Sequence, residues 1–121
     1  MLNLDTHIVI AFLGGSLTTA EQRVMQHESW GISAIVFWEM FSLVRLGRLR
    51  MDLEDPVLNR DLTGFHTWPI SMHVCRQLRL LDFRGEPADE IIAATSIAFD
   101  VPLLTRDARI LSSKTVPLVL A

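Results

Sequence analysis

The stretch that decides the fold is GEPADEIIAATSIAFDVPLLTRDAR, residues 85–109, which predicts a helix followed by a buried strand. Pro87 suits the first helical position, where its missing N–H costs nothing. Apolar and small side chains then recur at helical spacing, at Ile91, Ile92, Ala94, Thr95 and Ala98. Asp100 closes the helical segment, and Pro102 opens the short apolar run Pro-Leu-Leu-Thr, which is typical of a buried strand.

Four acidic residues are the candidates for a functional site. Asp89 lies in the first turn of the predicted helix, and Asp107 directly follows the predicted strand. Asp5 follows a predicted strand at the start of the chain, and Glu39 lies on a separate apolar helix. Because ligands bind beyond the carboxyl ends of parallel strands, we expect these four side chains to converge at one edge of a sheet.

Predicted strands and helices alternate along the chain. Strands are predicted over residues 2–5, 30–34, 65–70, 102–105 and 116–120. Helices are predicted over residues 8–13, 18–28, 35–47, 72–81 and 87–100. The alternation favours an α/β domain with a largely parallel sheet of four to five strands and helices on both faces. Pro117 restricts the last strand to an edge of the sheet.

The composition favours one globular domain, residues 1–121, in a reducing compartment. The chain has 121 residues, of which 50% are hydrophobic, so it can bury a sizeable core. No apolar run approaches the ~20 residues that span a bilayer, and Asp5 interrupts the apolar start that a signal peptide needs. Cys75 has no cysteine partner, which fits the cytoplasm, and we expect it to be a small core side chain.

The charged residues permit a phosphate ligand. The net charge of −3 argues weakly against a general nucleic-acid binder. Lys114 is the only lysine among the 11 Lys and Arg residues, and the planar fork of arginine suits phosphate, although genomic base composition explains the bias equally well. Three of the arginines, Arg45, Arg48 and Arg50, follow an apolar helix. We interpret them as stabilising its C-terminus, with a phosphate-contacting rim as the alternative.

The predicted helix over residues 35–47 is apolar around nearly its full circumference. Such a helix is buried on more than one side, so we expect it to pack on the sheet and also on something else, such as a second subunit. Glu39 shares the face of Ile35, Leu43 and Leu46. A carboxylate there is desolvated, which is unfavourable unless it is paired or bound to a metal. The alternative places Glu39 at the surface or at a helix terminus.

Converging carboxylates repel each other unless a cation neutralises them. A set of oxygen donors, without Cys or His at ligand spacing, suits Mg²⁺ or Mn²⁺ rather than zinc. Such an ion can polarise a phosphate and activate water for in-line attack. The alternative for Asp5 alone is that it caps the following helix by accepting a backbone N–H.

Four segments, in this order, resemble the PIN-domain pattern: Leu4-Asp5-Thr6-His7, Ile32-Ser33-Ala34 with Glu39, Pro87-Ala88-Asp89 with Ile92-Ala93-Ala94-Thr95, and Leu104-Thr105-Arg106-Asp107. Their order and spacing are similar to those of the VapC-type toxin ribonucleases of bacterial and archaeal toxin–antitoxin pairs. The resemblance covers nearly the whole chain.

The resemblance implies a three-layer α/β/α fold and a Mg²⁺- or Mn²⁺-dependent endoribonuclease. It further implies a cytoplasmic homodimer that cleaves single-stranded RNA or tRNA and is inhibited by a cognate antitoxin protein. The acids that it assigns to metal binding and catalysis are Asp5, Glu39, Asp89 and Asp107. The hydroxyls that it places in support of these acids are those of Thr6, Ser33 and Thr105.

Two positions differ from the family's usual pattern. Glu90 follows Asp89 where the family often has arginine, which changes the charge beside the site and bears on RNA affinity more than on the fold. Glu86 stands where the family commonly has aspartate. Because Glu86 precedes Pro87, we leave it out of the metal set and consider it a candidate cap for the helix.

Other functions fit the residues in different ways. A non-catalytic PIN-like module would keep the fold and bind RNA or protein without turnover. A receiver-type signalling domain needs paired acids and a late lysine, but Asp5 has no acidic neighbour and Lys114 is poorly placed. An Asp-x-Asp phosphatase has its second aspartate where His7 stands here. We expect neither His7 nor His73 to act as a base, since metal-activated water needs none.

Overall fold

The chain folds around a four-stranded parallel sheet. In the computed structural model, which describes residues 1–119, the strands are β1 (Leu2–Leu4), β2 (Trp30–Ser33), β3 (His66–Trp68) and β4 (Leu103–Leu104). Their spatial order is β3-β2-β1-β4, and all neighbouring strands are parallel. The predicted α/β class and the parallel sheet are therefore confirmed.

Helices cover this sheet. They are α1 (Thr6–Gly14), α2 (Thr19–Gln26), α3 (Ile35–Arg45), α4 (Pro56–Thr63), α5 (Met72–Arg76), α6 (Pro87–Phe99) and α7 (Ala108–Leu111). Every residue of β1 is buried, although successive strand side chains point to opposite faces. Both faces of the sheet are therefore covered, as the three-layer arrangement requires.

Asn3 of β1 joins the sheet to α6. Its amide nitrogen donates to the Ile92 carbonyl and to the Ser96 hydroxyl, each at 2.9 Å, and Asn3 is fully buried. A buried amide is unfavourable without such partners, so these bonds help to fix where α6 lies on the sheet. α6 also packs against β2, α3 and α5. The segment of residues 85–109 thus contributes the helix, α6, on which several other elements pack.

Local signals set several helix ends. Thr18 and Glu21 form a reciprocal capping box at the start of α2, as predicted. Gly15 ends α1 with φ 72°, a left-handed conformation that glycine adopts readily. Glycine is needed at position 31 in β2 for a different reason. A Cβ atom on Gly31 would lie 2.6 Å from the ring carbons of Trp68 in β3.

The structure differs from the prediction in the region after β3. The helix predicted over residues 72–81 is α-helical only to Arg76 and continues as a 3₁₀ helix, Gln77–Leu80. Cys75 is exposed, so its expected position in the core is wrong. α5 is a short surface helix whose buried side chain is Val74, and Cys75 lies beside it on the outer side.

The C-terminal segment lies at the edge of the sheet. Leu118 forms an isolated parallel bridge with Leu103 of β4, which confirms the expected edge position. The predicted strand over residues 116–120 is reduced to this bridge, and Leu120 lies outside the described residues. In the part of the chain that the structure describes, none of the helices combines the length and the apolar character needed to cross a membrane.

α3 buries only part of its apolar surface within this chain. Val36 and Met40 are its buried residues, whereas Trp38, Phe41 and the following Leu46 are 59%, 51% and 57% exposed. The expectation that a second surface covers the remaining face of α3 stays a prediction.

Candidate active site

Polar residues meet at the carboxyl edge of three adjacent strands. β1 pairs with β2 on one side and with β4 on the other. Continuing both registers beyond the strand ends places Asp5 between Ser33 and Thr105. The backbone N–H of Asp5 donates to the carbonyl of Leu104 at 3.0 Å, which holds this alignment. The sheet thus presents Asp5 at the edge where parallel sheets bind ligands.

Asp5 is buried and held on both carboxylate oxygens. Oδ1 accepts the backbone N–H of Thr6 at 2.8 Å, so Asp5 caps α1 as the alternative interpretation expected. Oδ2 accepts the hydroxyl of Thr105 at 2.6 Å. Burial raises the pKa of Asp5, while these two hydrogen bonds and the charge of His7 oppose the rise. The Asp5 carboxylate is therefore desolvated but fixed in position.

Thr105 also connects Asp5 to Asp107. Its hydroxyl accepts the backbone N–H of Asp107 at 3.0 Å. The Oδ1 atom of Asp107 accepts the N–H groups of Arg109 at 2.8 Å and of Ile110 at 3.3 Å, which caps α7. The Thr105 hydroxyl therefore links the two acids, and the negative charge of Asp107 adds to the raised pKa of Asp5.

Asp89 feels all three of the other predicted acids. It is half-buried in the first turn of α6. Burial raises its pKa to about 6, and the charges of Asp5, Glu39 and Asp107 add to the rise, whereas Arg109 lowers it. The fold therefore brings the four acids near enough for the charges of the other three to act on Asp89.

The four acids form a cluster of charges rather than a closed ligand cage. Within residues 1–119, no three His, Cys, Asp or Glu side chains are placed closely enough to hold one metal ion. The donors are all carboxylate oxygens, and the raised pKa of Asp89 reports negative charge without full compensation. This donor chemistry fits a hard divalent cation.

Glu39 lies in a groove together with a residue outside the predicted set. The groove runs between α3 and the start of α6, and its lining includes Arg48, Glu86 and Pro87. Glu39 is half-buried, so its position lies between the desolvated carboxylate that its apolar neighbours predict and the surface alternative. Glu86 occupies the N-cap position of α6, as the capping interpretation expected, but within residues 1–119 its side chain makes no cap hydrogen bond. The resembling family commonly has aspartate at this position, and that likeness was the sequence feature that pointed to Glu86 as a site residue.

The three predicted hydroxyls have different contacts. Only Thr105 bonds directly to a predicted acid. The Ser33 hydroxyl accepts the N–H of Ile35 at 3.3 Å, at the start of the helix that carries Glu39. The Thr6 hydroxyl is fully buried and has no hydrogen-bond partner within residues 1–119.

Two further charged residues, Glu90 and Arg109, are neighbours of Asp89. The Glu90 carboxylate accepts the N–H of Gly85 at 3.0 Å, so it is bonded to the loop before α6. Arg109 lowers the pKa of Asp89 through its charge, a role that the sequence did not predict for Arg109. Its position two residues after Asp107 carried no local signal, because the approach of α7 to the start of α6 is a tertiary contact.

Three solved structures share this fold. A chain of a toxin–antitoxin complex from Klebsiella pneumoniae has a TM-score of 0.72 at 19% identity, covering 99% of this chain and 97% of that chain. VapBC2 from Rickettsia felis, bound to a DNA fragment from its promoter, gives 0.73 at 14% identity, with 98% of each chain covered. FitAcB from Neisseria gonorrhoeae gives 0.63 at 23% identity, covering 91% of this chain and 90% of that chain.

The sequence itself matches a family model. Comparison with curated proteins gives no significant match. The model of the PIN domain, however, matches residues 3–114, which include all four predicted acids. The chain therefore belongs to the PIN-domain family.

Proposed function

We propose that the protein is a Mg²⁺- or Mn²⁺-dependent endoribonuclease, the toxin of a type II toxin–antitoxin pair. The observation that carries the proposal is the Asp5 carboxylate at the carboxyl edge of the sheet, bonded to Thr105 at 2.6 Å and linked through that hydroxyl to Asp107, in a chain of the PIN-domain family. Burial and the charges of Asp5, Glu39 and Asp107 also raise the pKa of Asp89 to about 6. Carboxylates held together in this way are unfavourable unless a cation joins them. Perturbed acids in such a cluster are typical of functional sites.

The residues of the cluster have distinct tasks in this proposal. Asp5, Glu39, Asp89 and Asp107 would hold the ion, which when bound supplies the positive charge that polarises a phosphodiester and activates water. Thr105 donates to Asp5 at 2.6 Å and so fixes that carboxylate before substrate binds. A ligand held in place by a neighbouring hydrogen bond loses little freedom on binding. The Thr105 hydroxyl also restrains the backbone at Asp107.

The products distinguish water from an internal nucleophile. Attack by water leaves a 5′-phosphate and a 3′-hydroxyl, whereas attack by the ribose 2′-hydroxyl leaves a cyclic phosphate. We expect the first pair of ends. A 2′,3′-cyclic end in the cleavage products would contradict the proposed role of the acids.

Partners follow from the same proposal. The three structures of similar fold include toxin–antitoxin complexes, which supports a cognate antitoxin for this chain. The exposed side chains of Trp38 and Phe41 support contact with another protein surface, such as a second copy. We propose a cytoplasmic homodimer that acts on single-stranded RNA or tRNA. A sedimentation measurement giving a monomer at tens of micromolar would contradict the dimer.

The test is cleavage of a mixed pool of single-stranded RNA and tRNA. Purified protein is assayed with Mg²⁺, with Mn²⁺ and with EDTA, beside Asp5→Asn and the matched control Asp61→Asn, whose side chain is exposed on α4. We expect cleavage that needs metal, is lost in Asp5→Asn and persists in Asp61→Asn. RNA binding without cleavage at any metal concentration would instead identify a non-catalytic module.

A further inference from the structure

Gly85, in the loop before α6, marks a small space shared by two charged groups. A Cβ atom built on Gly85 would lie 3.2 Å from Nη1 of Arg109 and 3.5 Å from Oδ2 of Asp89. Both groups therefore border the same point, one from α7 and the other from α6. The absence of a side chain at Gly85 leaves room for this approach.

The guanidinium of Arg109 is anchored at one atom and otherwise open. Nη1 donates to the carbonyl of Arg84 at 2.6 Å. The other guanidinium N–H groups make no hydrogen bond within residues 1–119, and the residue is exposed. Arginine has five N–H donors in a rigid fork. Arg109 is thus pre-positioned beside Asp89 with donors available for an anion.

The neighbouring carboxylate does not occupy Arg109. Glu90, the residue after Asp89, bonds instead to the backbone N–H of Gly85 at 3.0 Å. Neither Asp89 nor Glu90 lies within salt-bridge distance of Arg109. A positive charge next to acids that does not pair with them is suited to an anionic ligand.

A second arginine borders the groove that contains Glu39. Arg48 lines the groove that contains Glu39 and Glu86. Its side chain is exposed and makes no hydrogen bond in the described part of the chain. Gly47, with φ 72°, turns the chain after α3 and places Arg48 at this groove. Arg48 therefore accompanies Glu39 as Arg109 accompanies Asp89.

We propose that Arg48 and Arg109 bind backbone phosphates of the RNA beside the acidic cluster, Arg48 next to Glu39 and Arg109 next to Asp89. The inference rests on the proposed function, because it takes the acids as the place of cleavage. The physical need is clear, since the carboxylates repel an incoming polyanion and the chain carries a net charge of −3. Two forked cations at the margins offset that repulsion and hold the strand in register.

The test measures binding separately from cleavage. A fluorescent single-stranded RNA is titrated with Asp5→Asn protein, alone and combined with Arg48→Gln, Arg109→Gln or both, at several salt concentrations. Cleavage of the same RNA by wild-type protein is measured separately. Each loss of a phosphate contact should lower the slope of log affinity against log salt by about 0.7, and the double variant by about 1.4. Affinity at fixed salt should fall about tenfold for each arginine.

Controls separate phosphate binding from a structural role. Arg109→Lys should retain the salt slope, because lysine also neutralises a phosphate, whereas Arg109→Gln should lower it although glutamine keeps an N–H donor for the Arg84 carbonyl. Arg60→Gln is the matched control, since Arg60 is exposed on α4 near Trp30, at the start of β2 and away from the acids. It should change neither slope nor affinity beyond the general effect of one charge.

The outcomes distinguish this inference from the proposed function. If wild-type protein cleaves RNA while both glutamine variants keep the wild-type slope and affinity, the arginine proposal is wrong and the nuclease stands. If the slopes fall as expected but wild-type protein never cleaves the RNA, the phosphate contacts stand and the nuclease does not. In cleavage assays the arginine variants should raise KM more than they lower kcat.

Discussion

Two carboxylates of this protein occupy opposite electrostatic settings. The Glu21 carboxylate on α2 accepts hydrogen bonds from Nε of Arg106 at 2.8 Å and from Nη2 at 2.7 Å. These bonds are the main reason why the pKa of Glu21 is lowered to about 2. Asp89 on α6 has three acids around it, and burial together with their charges raises its pKa to about 6. One acid is neutralised within the chain, and the other is not.

The difference separates an acid that stabilises the fold from an acid that is available for function. Glu21 and Arg106 join α2 to the loop after β4, and Glu21 also completes the capping box. Asp89 contributes no comparable bond and instead carries an electrostatic cost. Proteins retain acids with unfavourable electrostatic interactions at sites where a bound ligand offsets that repulsion. Four experiments test this difference between Glu21 and Asp89.

The largest expected effect is on RNA cleavage. Asp89→Asn should lower cleavage more than about 100-fold, since removal of a metal ligand exceeds the loss from its outer partners. Glu21→Gln should keep most of the activity, because Glu21 is engaged with Arg106. Initial rates on the same RNA at saturating Mg²⁺ measure both. Equal losses in the two variants would remove the functional distinction between these acids.

The second effect is stabilisation by Mg²⁺. Binding to the native state alone stabilises by about 2.7 kcal/mol when the ion is at 100 times its Kd. We expect Mg²⁺ to raise the Tm of wild type and of Glu21→Gln, and to raise that of Asp89→Asn much less. Differential scanning calorimetry at pH 8, with EDTA as the metal-free reference, measures the shifts. An equal shift in all three proteins would place the ion elsewhere.

The third effect is the stability that Glu21 contributes. Glu21→Gln should lower the free energy of unfolding by about 1–2 kcal/mol, a value reduced because Arg106 is partly exposed to solvent. The folded pKa is lowered, so this contribution is complete above the ordinary glutamate pKa of 4.5 and is lost as the pH falls through about 2. Urea unfolding of both proteins at pH 7 and pH 3 should show the difference shrinking. A difference that is the same at both pH values would contradict the ionised pair.

The smallest effect has the opposite sign. Without metal, Asp89→Asn should stabilise the protein by about 1 kcal/mol at pH 8, after allowance for solvent screening at this half-buried group. The folded pKa of Asp89 is raised, so its cost is complete above about pH 6 and disappears as the pH falls towards the ordinary aspartate pKa of 3.8. Urea unfolding in EDTA at pH 8 and pH 4 measures it. Destabilisation at pH 8 would show that the acids around Asp89 are already neutralised.

Sequence patterns predicted the elements better than the contacts between them. The capping box of Thr18 and Glu21, the turn at Gly15 and the start of α6 at Pro87 all follow from neighbouring residues. The 3₁₀ continuation of α5 and the exposure of Cys75 did not, since they depend on how that segment meets the rest of the chain.

The acids show the same division. The positions of Asp5 and Asp107 after strands indicated a common edge, and the motifs resembling the PIN pattern added Glu39 and Asp89. The roles of their neighbours were less predictable from the sequence. Glu86 occupies the N-cap position of α6 without a side-chain cap bond and shares a groove with Glu39, and Glu90 bonds to the backbone N–H of Gly85.

By itself, the sequence determined the alternation of strands and helices, the caps, and the residue types that suit a divalent cation. These properties depend on side-chain periodicity and on bonds between near neighbours. The tertiary structure alone decided which charges meet: Thr105 bonds to Asp5 across 100 residues, and Arg106 to Glu21 across 85. Such pairs are fixed by strand order and helix packing, and no local pattern in the chain encodes them. That is why one acid is neutralised while Asp89 remains available for a ligand.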